Sequence, residues 1–126
     1  MGAPAAKEND QIMGTCVGHL MPGPTGQITA PPQPFMAPID KQLARSVEIE
    51  GAKAVLVGVS WGVCNPPHIG LSDAWAAQPA QRGAITTGSQ TVFAEKKPLA
   101  HGNSQCTMCF GPASRLAATG VTVQVG

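Results

Sequence analysis

A chain of 126 residues has room for one domain with one modest core and leaves none for a separate catalytic module. Its formal charge of +1, from 8 Lys and Arg against 7 Asp and Glu, is spread evenly and forms no basic stripe, which argues against nucleic acid as a partner. Only 12% of residues are charged while 43% are hydrophobic, so a large share of neutral surface is left for contact with other protein, as inside an assembly.

The opening "MGAPAAKEND" has no basic segment followed by an apolar one, and no apolar run reaches the roughly 20 residues of a membrane helix. The expectation is a chain made in the cytoplasm without a signal peptide, whose four cysteines serve as thiols or metal ligands and not as disulfides. Fifteen Gly and twelve Pro sit between short β-branched runs, which predicts many short strands joined by turns: an all-β fold. With 4% aromatic residues and no Tyr, the core must come from Val, Ile, Leu and Ala.

In chain order, "APAAKEND" (3–10) reads as an Ala-rich strand, followed by a loop with Cys16 and His19 and a returning strand at "GQITAP" (26–31). Residues 20–45 are rich in Pro clusters that oppose regular ladders and are read as an insertion. "SVEIEGAKAVLVG" (46–58) is a β-branched strand, a turn and a second Ala-rich strand, leading to Cys64 and His68. Residues 65–83 read as a second insertion, in which "LSDAWAAQ" predicts about two turns of helix capped by Ser72. Trp61 and Trp75 are expected to anchor the packing there. "AITTGSQ" (84–90) and "TVFAEKKPLAHGN" (91–103) repeat the earlier pattern, with His101 at the entry to a loop holding Cys106 and Cys109. "RLAATGV" (115–121) and "VTVQVG" (121–126) close the third copy, and Ile85 to Val92 matches Leu116 to Val123 in spacing.

Three hairpin units therefore place Cys16, His19, Cys64, His68, His101, Cys106 and Cys109 in or beside three equivalent loops. Zinc takes four N or S donors in a tetrahedron, and a sharp apex too small to bury apolar area gains order from an ion. A redox role for Cys106 and Cys109 would want a βαβ setting, whereas Gly111, Pro112 and a strand follow them. Hydrolytic chemistry lacks support: there is no phosphate-cradling Gly loop, and Asp10, Asp40, Asp73, Glu48, Glu50 and Glu95 are scattered. The chain is expected not to be an enzyme.

The phrases "APAAKEND", "GSQTVFAEKKPLA" (88–100) and "KPLAHGN" (97–103) resemble the PAAR-repeat proteins, spike-tip proteins of type VI secretion and related contractile injection systems. Lys7 stands where the motif has Arg, and the later copies read Lys53-Ala54-Val55-Leu56 and Pro98-Leu99-Ala100-His101, so the resemblance is to a divergent member. It implies a single cone-shaped, pseudo-threefold PAAR-like domain over 1–126, with insertions at 20–45 and 65–83. Its broad end would cap a trimeric β-helical spike, and its point would hold one structural metal ion on His and Cys. It further implies assembly into an exported particle, transient contact with a target membrane, and in some cases a cargo effector. Equivalent loop positions favour His19 and His68 as ligands, a zinc-knuckle-like turn in the third loop would add Cys106 and Cys109, Cys16 and Cys64 are in reserve, and His101, on the motif's Arg position, is the alternative that would restore the family's three-His count. The competing readings are buried thiols beneath the tip and hydrogen-bonded loop histidines. The rival functions are a small metal-dependent effector enzyme and a zinc-stabilised interaction module.

Overall fold

The protein, described by a computed structural model over residues 2–125, is all-β; the end residues Met1 and Gly126 of the 1–126 reading lie outside the described residues. Fifteen short strands follow in order: β1 (Ala3–Ala5), β2 (Gln11–Cys16), β3 (Leu20–Gly23), β4 (Gly26–Thr29), β5 (Gln33–Pro38), β6 (Glu48–Ile49), β7 (Ala52–Lys53) and β8 (Trp61–Val63). After a short 3-10 turn at Gln78–Ala80 come β9 (Arg82–Ile85), β10 (Phe93–Ala94), β11 (Lys97–Pro98), β12 (Cys106–Met108), β13 (Gly111–Pro112), β14 (Arg115–Ala117) and β15 (Gly120–Val125).

The organising feature is a closed ring of backbone hydrogen bonds among three Ala-rich segments. Ala6 N–H donates to Ala100 O (3.0 Å), Ala100 N–H to Val55 O (3.1 Å) and Val55 N–H to Ala6 O (3.2 Å). Flanking bridges join Ala5 to His101, Lys7 to Ala54, and Leu56 to Leu99. Ala6, Val55 and Ala100 are fully buried, and only small or slim side chains fit where three backbones converge.

Each segment leaves the ring through a turn capped in the same way, by a side chain three residues on in the first and third segments and four residues on in the second. The Asp10 carboxylate accepts the Lys7 N–H (2.9 Å), the Ser60 hydroxyl accepts that of Leu56 (2.9 Å), and the Ser104 hydroxyl accepts that of His101 (3.0 Å). In all three the backbone N–H of the capping residue returns to the carbonyl of Lys7, Leu56 or His101. These short polar side chains replace the ladder bonds that a turn forgoes.

On one side of the ring stand three two-stranded units: β1 with β15, β6 with β7, and β10 with β11. They enclose a small core of Ala5, Ala44, Ile49, Ala54, Leu56, Ala94, Leu99 and Val125. On the other side rise β2, β8 and β12, returned by β5, β9 and β14, in sheets ordered β14-β2-β5 and β13-β12-β9-β8. Asn65 N–H to Met36 O (2.8 Å) and a bridge between Lys41 and Trp61 join the two sheets along β5 and β8. Ala113 N–H to Cys106 O and Ser114 N–H to Met13 O (each 2.9 Å) join them on the far side. Ile12, Phe35, Ile39, Ile85 and Leu116 fill the space between.

Two expectations are corrected. The returning strand of the first unit is β5, not 26–31: β4 pairs with β3 as a separate hairpin, while β5 pairs with β2 over all six residues from Gln11↔Pro38 to Cys16↔Gln33. Pro34 and Pro38 do not interrupt this ladder. Met36 O turns toward Asn65, so the backbone nitrogens of residues 34, 36 and 38 face the edge away from β2, where no ladder N–H is needed. The first insertion is correspondingly shorter than 20–45.

The helix expected in "LSDAWAAQ" is also absent, and no α-helix occurs among the described residues. The Asp73 carboxylate spends its acceptors on Trp75 N–H (3.0 Å), Leu20 N–H (2.9 Å) and His19, and Ala77 is extended (φ −89°, ψ 139°) before the Pro-containing 3-10 turn. The segment is tied to its neighbours by side chains in place of its own ladder. Trp75 packs on His19 and Phe110, and Trp61 lies under the Arg82 guanidinium (3.6 Å).

Candidate metal centre

The loops at the far end of β2, β8 and β12 converge. Cys16 is the last residue of β2 and His19 lies three residues on. His68 belongs to the loop between β8 and β9, and Cys109 to the two-residue turn between β12 and β13. One ligand atom from each of Cys16, His19, His68 and Cys109 lies within 4.8 Å of every other. Cys16, His19 and His68 are buried and Cys109 is half-buried. All three loops thus contribute to one Cys2His2 group that could hold one metal ion.

The hydrogen bonds around the imidazoles fix which nitrogens face that group. His19 Nδ1 stands 3.0 Å from Asp73 Oδ2, and because an ionised carboxylate only accepts, Nδ1 carries the proton. His68 Nδ1 stands 4.0 Å from the Cys64 sulfur, whose own thiol reaches Pro66 O (3.3 Å). Nε2 of both rings is buried without a hydrogen-bond partner, a costly arrangement unless those lone pairs have an ion to bind. The rings pack edge-on, with centroids 5.0 Å apart.

The thiols differ in acidity. The neighbouring Cys109 thiol, against the effect of burial and with help from His68 and His19, draws the Cys16 thiol down to about 5. Cys109 moves upward in turn, through the Cys16 sulfur beside it and through burial. Burial opposes ionisation of Asp73, but the Leu20 N–H, the His19 ring and the Trp75 N–H outweigh it and hold that carboxyl below its ordinary range.

Of the residues favoured by sequence, His19, His68 and Cys109 belong to the group and Cys106 does not. Cys106 opens β12 opposite Ile85, where its side chain enters the core, its sulfur contacts Ser104 O (3.9 Å), and burial pushes its thiol up to about 11. The fourth member is Cys16, from the reserve set. Cys64 is fully buried behind His68, and His101 sits in a turn at the ring, bridged to Ala5, with Nδ1 accepting the Asn103 N–H (3.1 Å). No spacing in the sequence singles out Cys16: in the structure Cys64 as well as Cys16 and Cys109 ends or directly follows a rising strand, whereas Cys106 begins one.

Fold and site together define a small all-β domain of threefold internal repeat with a Cys2His2 group at the meeting point of its loops. No protein-family model matches the chain, and no curated protein and no solved structure matches it.

Proposed function

We propose that the chain is the zinc-stabilised tip of a trimeric β-helical spike in a contractile injection machine, a divergent relative of the PAAR-repeat proteins, and that it acts mechanically without substrate turnover. The observation that carries this reading is the closed ring through Ala6, Val55 and Ala100. One chain that makes the same backbone contact three times offers similar surface to each of three identical subunits, which relieves the mismatch between a single cap and a threefold axis. The paired strands β1/β15, β6/β7 and β10/β11 lie on the side of the ring away from the Cys2His2 group and supply strand edges for the spike.

Two thiolates and two imidazoles suit zinc in a closed tetrahedral site, the arrangement of a structural ion. Such an ion would link the three loops and oppose their splaying under load.

Coexpression with a trimeric β-helical spike protein of a contractile injection machine tests the reading. A complex of one tip per three spike chains by native mass is expected, and a chain that stays free or binds in another ratio overturns it. Elemental analysis is expected to give one zinc per chain. Zinc at about a thousand times its Kd adds about 4 kcal/mol of stability, or roughly 10–20 °C in Tm. A melt that a chelator leaves unmoved removes the ion from the proposal.

A further inference from the structure

The three loops that form the metal group are almost free of charge. Residues 16–39, 64–81 and 108–114 contain one charged side chain, Asp73, and it is turned onto His19. All eight Lys and Arg and the six other acids lie in the rest of the chain.

Three of the four group residues are each followed by an apolar side chain that faces outward. Val17 after Cys16 is 62% exposed, Ile69 after His68 is 78% exposed, and Phe110 after Cys109 is 46% exposed. Ile28, on the β3–β4 hairpin that follows His19, is 47% exposed. Trp75 stacks beside this set, 4.8 Å from the Phe110 ring. The backbone that turns each ligand in turns its neighbour out, so one ion would gather the apolar side chains from three loops into a single crown.

A protein interface of ordinary kind surrounds its apolar centre with a polar, partly charged rim. A crown whose own loops carry no exposed charge, bordered by an Arg82 whose carbonyl accepts the Cys109 N–H and whose guanidinium lies over Trp61, is instead suited to hydrocarbon, where an ionised side chain is costly. We propose that the crown of Val17, Ile69 and Phe110, with Ile28 beside it, enters the acyl region of a lipid bilayer, and that the metal ion holds it in shape. This rests on the tip reading and adds to it an equilibrium affinity for lipid that needs no applied force.

Flotation of the metal-loaded chain with phosphatidylcholine vesicles, and with vesicles that also contain phosphatidylglycerol, tests it. The chain is expected to float with both to a similar extent, in low and in high salt, with a blue shift of Trp emission. The variant V17S/I69S leaves all four ligands and Phe110 in place. It is expected to keep its metal and lose about tenfold or more in partition constant. Absence of flotation, flotation only with anionic vesicles and lost in salt, or an unchanged V17S/I69S each overturns the proposal, as does a crown that captures a protein while ignoring vesicles. A chain that assembles one to three with the spike but does not float sinks this inference alone.

Discussion

Cys106 and Cys109 share one short stretch of sequence and have different surroundings. In β12 the alternation of a strand turns Cys106 and Met108 into the core, and the chain then leaves the strand at Cys109 with φ 39°, a left-handed conformation that carries its sulfur to the loop group. Cys109→Ser is therefore expected to remove most of the bound metal, while Cys106→Ala keeps one ion per chain and costs about 1 kcal/mol in denaturant unfolding. Metal content of the two purified variants decides it. Asp73 orients His19 from outside the group, so Asp73→Asn is expected to weaken metal affinity by roughly 10–100-fold in a chelator competition while leaving the fold intact. From sequence, the convergence of three loops was legible because cysteines and histidines recur at matching places. The choice between the two cysteines was not, because it depends on a strand register and on one left-handed residue that no spacing rule encodes.

The paired strands and the walls were legible to different degrees. β-branched runs interrupted by Glu50-Gly51 and Glu95-Lys96 read as hairpins, and all four of those residues have positive φ, as tight two-residue turns require. The wall strand β5 was hidden by its prolines, since the edge that a proline nitrogen faces is a tertiary property. Where β5 gives way to Ile39 the chain passes so close to β8 that a Cβ on Gly62 would stand 2.0 Å from Pro38 O. Gly62→Ala is expected to cost more than about 2 kcal/mol in urea unfolding.

Both hairpin turns also reach their neighbours. Glu50 accepts from the Thr122 N–H and hydroxyl, and Glu95 from the Arg45 and Ser46 N–H groups and the Ser46 hydroxyl. The Thr122 hydroxyl chiefly lowers the Glu50 carboxyl below its ordinary 4.5, and the Ser46 N–H chiefly lowers Glu95. Their stabilisation is complete above pH 4.5 and is lost as pH falls through the lowered values. A Glu50→Gln/Glu95→Gln variant is expected to show a shallower fall of Tm with acid than the parent chain. Parallel acid limbs would dismiss the two contacts.

At the scale of the whole molecule, the ring joins residues near positions 6, 55 and 100, so every closing contact spans tens of residues and none forms locally. β1 and β15 pair where the other two units have a tight turn, and so the three units differ mainly in how their strands are connected. The three two-stranded units are thus close to interchangeable, while the loops beyond them differ, with the β3–β4 hairpin in one and the 3-10 turn in another. A circular permutant that links β15 to β1 through a short turn and opens between Glu95 and Lys96 is expected to fold, to bind metal with the same stoichiometry, and to melt within a few degrees of the parent, since cuts at exposed turns are tolerated. Such a permutant that failed to fold would mean that the three sectors, alike in backbone, are not equivalent in the assembly of the domain.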